Sequence, residues 1–206
     1  MARALPAVVL VALLAAGCGT SKDEGISGGG KVIGRTVTVY SIMQDPSGAA
    51  RDLVDGEKLA LSEANGRAGA LAVNFSSLDA GDGSESDVAE AARRAINDPQ
   101  IIAAIVDATD VTVPLFNAAG ILQVAPGGDE TLESDPNELP SGKPTVGAVK
   151  GQLPADFDTR FKAAFGRAPT STAEGGYRAM NGVLHAIAEA GAAGNDRTRV
   201  IRAYGL

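Results

Sequence analysis

The chain alternates between short runs rich in β-branched residues and longer stretches in which apolar residues recur at helical spacing. Residues 35–42, RTVTVYSI, predict a strand. Asp45-Pro46-Ser47-Gly48 follows as strong turn chemistry. Residues 49–67 then place Leu53, Gly56, Leu59, Ala60 and Ala64 on one helical face, with Gly66 and Gly69 as stop signals. Residues 71–78 predict a second strand, and residues 86–97 a helix that ends before Pro99. Residues 101–106, IIAAIV, are apolar throughout, which suits a strand covered on both faces of a parallel sheet. Residues 111–119 predict a short helix with Pro114 in its first turn, where a missing N–H is harmless. Gly120 closes it, and residues 121–125, ILQVA, predict a fourth strand. Strands alternating with helices predict an α/β fold: a doubly wound, mostly parallel sheet with right-handed crossovers, four core parallel strands and helices on both faces.

The pattern changes after Pro126. Residues 127–144 carry three prolines and mixed charge with little to bury, and read as an irregular connection of unusual length. Residues 145–149 predict a short fifth strand. Residues 156–165 put Phe157, Phe161, Ala164 and Phe165 on one helical face, and residues 172–190 do the same with Tyr177, Met180, Val183, Leu184 and Ile187. Residues 196–204 predict a last helix, capped by Asn195 or Asp196.

The first 34 residues stand apart. Arg3 leads into an apolar run from Ala4 to Ala16, too short for a membrane span, which needs roughly 20 residues. A positive charge, an apolar stretch and small residues are the parts of an export signal. Leu14-Ala15-Ala16-Gly17-Cys18 resembles the bacterial lipoprotein signal, the alternative being an ordinary signal peptide with an incidental cysteine. On the lipoprotein reading, residues 1–17 are removed and Cys18, the one cysteine of the chain, carries lipid. Residues 18–34, polar and glycine-rich, then form a flexible tether. The protein is expected outside the cytoplasm, anchored to the cell membrane through Cys18, with no disulfide and no cysteine nucleophile. The remaining length, about 170 residues, suits one domain with a real core. Its parts are an α/β core at 35–126, the connection at 127–144, and a late strand and helices at 145–206 that pack on the same lobe.

A formal charge of −7 with no basic stripe argues against nucleic acid as a partner. It also gives no attraction to an anionic membrane, so attachment would rest on the lipid. Asp79, Asp82 and Glu85 suggest calcium at first sight, but Gly81 and Gly83 occupy positions that an EF-hand loop gives to ligands; the segment reads as a solvated loop. His185, the one histidine, precedes Glu189 by four residues in a predicted helix and reads as a surface or packing residue. The glycines at 28–30 precede the first strand, whereas phosphate-binding loops follow one. No nucleophile–base set, metal-ligand spacing or cofactor motif is present, so the sequence points to a protein that is not an enzyme and that needs no cofactor. In open parallel sheets, ligands sit outside the carboxyl ends of the strands, which selects the loops at 44–47, 107–110 and 125–128.

The strand leading to Asp-Pro-Ser-Gly, the segment Asp55-Gly-Glu-Lys-Leu-Ala-Leu-Ser-Glu-Ala-Asn65 and the turn Ala119-Gly-Ile-Leu-Gln-Val-Ala-Pro126 resemble the first lobe of type I periplasmic binding proteins, the leucine/isoleucine/valine-binding branch of ABC importers. Phe161-Lys-Ala-Ala-Phe-Gly-Arg-Ala-Pro169, Tyr177-Arg-Ala-Met180 and Ala186-Ile-Ala-Glu-Ala-Gly191 resemble that family's late helices, which return to the first lobe. The resemblance implies a solute-binding component whose ligand is a branched-chain or other small amino acid or amide, and whose partners are ABC permease subunits. It implies that the hydroxyls of Ser47 and Thr109 and the backbone at Ala125, Pro126 and Gly127 would meet a ligand's carboxylate, and that Asp107 or Asp110 would face its ammonium.

The departures are specific. The family's second lobe lies between the fourth strand and the late helices, where this sequence has only residues 127–156. The chain stops soon after its third late helix, the loop after the third strand is short, and Asp107 stands where a glycine is expected. This implies one lobe of a two-lobed clamp, open to water, with a second copy of the chain as a candidate for the missing face. The alternative is a lipid-anchored interaction domain, or a truncated product, that has kept the lobe and lost the ligand.

Overall fold

The first apolar run becomes the central strand. In the computed structural model, which describes residues 30–44, 48–127, 139–141 and 143–206, β1 (Thr36–Met43) pairs in parallel with β3 (Leu71–Asp79) on one side and β4 (Ile101–Ile105) on the other. Beyond β4 the parallel pairing continues through β5 (Leu122–Ala125) to β6 (Val146–Ala148). At the opposite edge β2 (Arg67–Ala68) lies antiparallel to β3. The sheet order is β2-β3-β1-β4-β5-β6. The helices are α1 (Ala49–Glu63), α2 (Glu85–Ile96), α3 (Thr112–Ala118), α4 (Phe157–Phe165), α5 (Ser171–Glu189) and α6 (Arg197–Ala203). This is the doubly wound α/β architecture expected from the sequence, with the four core parallel strands β1, β3, β4 and β5 and the short fifth strand expected at residues 145–149 present as β6.

Side-chain alternation along the strands divides the core into two layers. Val37 and Val39 of β1 and Ile102 of β4 face a layer built from α1, α4, α5 and α6. Ile42, Ile101 and Ala104 face the opposite layer, built from α2 and α3. β4 is therefore buried at every residue, as its unbroken apolar run requires. On the first side, Phe157 stacks edge-on to Tyr177 at 5.2 Å and lies 5.6 Å from Phe161. The Tyr177 hydroxyl donates to Glu63 Oε2 at 2.6 Å, and burial, reinforced by that carboxylate, pushes its pKa up to about 12.

α1 and α5 approach backbone to backbone. A Cβ on Gly56 would overlap the carbonyl oxygen of Ala173, and a Cβ on Gly176 would overlap that of Leu53. Glycine weakens an isolated helix by roughly 1 kcal/mol relative to alanine, so its presence inside both helices answers to this contact.

Three local features depart from the sequence expectations. α1 ends at Glu63 rather than at residue 67, because Asn65 (φ 54°) and Gly66 (φ 65°) turn the chain through the left-handed region. Arg67 and Ala68 then pair back on β3. The tether expected through residue 34 is docked earlier: Val32 is buried, its N–H donates to the Asn195 carbonyl at 2.7 Å, and Asn195 Nδ2 donates to the Val32 carbonyl at 2.8 Å. Asn195 is thus engaged with the N-terminal segment, and Asp196 caps α6 by accepting from the Arg199 N–H at 3.1 Å. Cys18, the signal segment, Ser47 and residues 128–138 lie outside the described residues. Among the described residues, no helix is long and apolar enough to cross a membrane.

Gly56→Ala is expected to destabilise the protein by a net amount of about 2 kcal/mol, because overpacking against backbone outweighs the gain in helix propensity. Urea denaturation of the two proteins measures the difference.

Candidate ligand cleft

The crossovers from β1 and β4 run to opposite sides of the sheet, so a crevice opens between their carboxyl ends. A cleft of about 460 Å³ occupies this position. Ile42, Met43 and Gln44 enter it from the end of β1, Asp107 from the end of β4, and Pro126 and Gly127 from the end of β5. Two helix N-termini complete it: Ala49, Ala50 and Leu53 of α1, and Ser171 and Thr172 of α5.

A clamp between α1 and the loop preceding α5 holds these two N-termini together. Arg167 pairs with Asp52 at 2.5 Å and with Asp55 at 2.5 Å, and its guanidinium lies 5.0 Å from the centre of the Phe161 ring. Thr170 caps α5 by accepting from the Ala173 N–H, while its hydroxyl donates to Asp52 Oδ2 at 2.7 Å. α1 begins at Gly48 without a side-chain cap. The first-turn amides of a helix have no partner within it and carry the positive end of its dipole. Both helices therefore present a partial positive charge to the cleft.

Among the described residues that line the cleft, Asp107 is the one charged side chain. Its Oδ1 lies 3.9 Å from where a Cβ on Gly127 would stand, an ordinary van der Waals separation that puts the two residues side by side. Its backbone is fixed from below. The Asp107 carbonyl accepts from Thr112 Oγ1 at 2.8 Å and from Gln123 Nε2 at 3.0 Å. Thr112 and Gln123 are fully buried, and Gln123 Nε2 also donates to Thr112 Oγ1 at 2.9 Å.

The residues selected from the sequence fall into three positions. Asp107, Pro126 and Gly127 stand together in the cleft. Ala125 lies buried beside it with Ala108, Val113 and Leu139. Thr109 turns toward α3: its hydroxyl accepts from the N–H groups of Val111 at 3.3 Å and Thr112 at 3.1 Å, so it serves that helix as a cap. Asp110 is exposed on the same loop. The contribution of α5 was not anticipated. Its sequence signal is the Gly175-Gly176 pair within a strong helical pattern, which marks a close approach without naming the partner.

The other candidates are structural. His185 is 79% exposed, with Nε2 3.7 Å from Glu189. Asp79 accepts from the Gly81 N–H at 2.8 Å and Asp82 from the Ser84 N–H at 3.0 Å, so both carboxylates shape the loop before α2. No group of side chains suited to a metal ion occurs among the described residues.

Arg167→Ala is expected to lower stability by about 1–2 kcal/mol, because two largely buried carboxylates lose their partner while partial exposure of the guanidinium limits the loss. Urea denaturation would register this, with a smaller difference in high salt.

No family model and no curated protein matches the chain. Solved structures match its fold. A leucine-binding protein, LivK, from Thermotoga maritima superposes with a TM-score of 0.63 at 14% sequence identity, covering 82% of this chain and 87% of that one. A branched-chain amino acid ABC transporter protein from Rhodospirillum rubrum superposes with a TM-score of 0.60 at 12% identity, covering 82% and 88%. The fold is that of a type I periplasmic-binding-protein lobe, as the sequence resemblance implied.

Proposed function

We propose that the chain is a solute-binding component of an amino-acid ABC importer, and that its cleft takes a small zwitterionic amino acid with an apolar side chain. One observation carries this reading: a carboxylate, two helix N-termini and an apolar surface meet in one cleft. Asp107 would face the ligand's ammonium. The N-terminal amides of α1 and α5, with the backbone at Pro126 and Gly127, would meet its carboxylate. Ile42, Met43 and Leu53 would receive a branched side chain. A volume of about 460 Å³ accommodates a ligand of this size. The fold likeness to proteins named for leucine and branched-chain amino acids supports the same class.

In this proposal residues 1–17 direct export, Cys18 carries the lipid, and a short tether leads to the lobe. The partner is a permease that reads the loaded lobe. A second copy of the chain placed over the cleft would supply the burial on which affinity for so small a ligand depends.

Titration calorimetry with leucine, isoleucine, valine and small amides is the direct test, with saturable binding expected below about 100 μM. Asp107→Asn is expected to weaken leucine binding at least tenfold, about 1.4 kcal/mol. It should leave binding of 4-methylpentanoate, which lacks the ammonium, unchanged. Silence across the panel would favour an interaction domain without a ligand. Equal labelling of the wild type and Cys18→Ala by a palmitate analogue would remove the anchor.

A further inference from the structure

Glu57 lies in α1 one turn beyond Leu53, and its partner Ser41 immediately precedes Ile42; Leu53 and Ile42 both line the cleft. Glu57 is 0% exposed. One of its carboxyl oxygens, Oε1, meets the Ser41 hydroxyl at 3.0 Å. The other, Oε2, has no hydrogen-bond partner among the described residues. Ser41 is itself fully buried and carries no charge. Among the described residues, the ammonium of Lys58, exposed on the same helix, is the one ionised group that bears on Glu57. The titratable groups of the elements packed around α1 do not: Tyr40 in β1, Asp79 at the end of β3, Asp158, Arg160 and Lys162 in α4, and Glu174, Tyr177, Arg178, His185 and Glu189 in α5.

A carboxylate so placed would be an unpaired charge in an apolar interior, and such groups resolve the conflict by taking up a proton. The contact with Ser41 suits either form, because a hydroxyl can donate to a carbonyl oxygen or accept from a carboxylic O–H.

We propose that Glu57 is a neutral carboxylic acid in the folded protein and that its proton lets α1 seat on β1, so that the α1 wall of the cleft depends on a single buried proton. Its functional side rests on the reading of the cleft as a ligand site; the protonation itself does not.

Burial raises the Glu57 carboxyl well above the ordinary value of 4.5, and the Ser41 hydrogen bond and the Lys58 charge only partly oppose it. The folded chain therefore keeps a proton that the unfolded chain releases. The stabilisation is complete below the unfolded value and is lost as pH rises from there through the folded value. Within that window the folding constant falls tenfold per pH unit, equivalent to 1.36 kcal/mol. A loosened α1 would carry with it Ala49, Ala50 and Leu53, one wall of the cleft.

Urea denaturation of the wild type and Glu57→Gln across pH 5 to 8 tests this. Glutamine keeps the shape and the Ser41 hydrogen bond but cannot ionise. The two proteins should be about equally stable near pH 5. The ratio of their folding constants should then grow in favour of the variant, up to tenfold per unit, until the folded carboxyl ionises. A ratio that does not change with pH overturns the proposal.

A carbon-13 carboxyl shift for Glu57 in the wild type is independent of how the variant folds. The protonated signal is expected at pH 7, and an ionised signal there overturns the proposal. If leucine binds, its affinity should weaken toward pH 9 in the wild type and not in Glu57→Gln. Absence of amino-acid binding with the pH-dependent stability intact would sink the cleft reading and leave the buried proton standing.

Discussion

Direct contact between the backbones of α1 and α5 places everything else in this molecule. Gly56 and Gly176 let the two helices meet without intervening side chains. A segment more than a hundred residues downstream is thereby set beside the first crossover helix. Because α1 leaves the carboxyl end of β1, a helix packed on it with its own start at the same end brings a second N-terminus to the sheet's crevice. The Arg167 pairings and the Thr170 hydroxyl then fix the angle at which α5 enters. The cleft is thus a product of helix packing as much as of strand order.

The other face is organised by polar contacts. Thr112, Asn117, Gln123 and Thr145 are buried between α3 and the strands beside it. Asn117 Nδ2 donates to the Lys143 carbonyl at 2.8 Å and to Thr145 Oγ1 at 3.1 Å, and its Oδ1 accepts from the Ser141 N–H at 2.9 Å. This network holds the chain where it returns to form β6. Through Thr112 and Gln123 it also holds the backbone of Asp107. A network of this kind specifies one arrangement, because a buried polar group left without its partner is costly.

Much of the fold was legible in local patterns. The β-branched run of β1, the unbroken apolar run of β4 and the helical spacing of α5 each state a secondary structure and a burial pattern together. Asp107, Pro126 and Gly127 are legible as neighbours because alternating strands and helices put the loops after parallel strands at one end. What local pattern cannot carry is the choice of partner. Thr109 reads as a free loop hydroxyl until α3 is seen to begin three residues later and to need a cap. Val32 sits in a glycine-rich stretch with no periodicity, and only its pairing with Asn195 reveals that it is buried. β2 exists because Asn65 and Gly66 reverse the chain, a matter of backbone angles rather than of hydrophobic spacing. The wall supplied by α5 depends on a contact between residues far apart in sequence, signalled only by glycines where a helix would not choose them.

Ala125 and Leu139 belong to the same small apolar cluster, with Ala108 and Val113. The two described ends of the connection after β5 therefore meet at one patch. The entropy lost in closing a connection between fixed ends grows only with the logarithm of its length, at about 0.6 kcal/mol for each doubling. Neither the α1–α5 contact nor the Asn117 network requires the connection to have any particular length. A lobe inserted there, or removed from there, changes the closure term slightly and the rest of the core hardly at all. The step between one lobe and a two-lobed architecture is for this reason thermodynamically short.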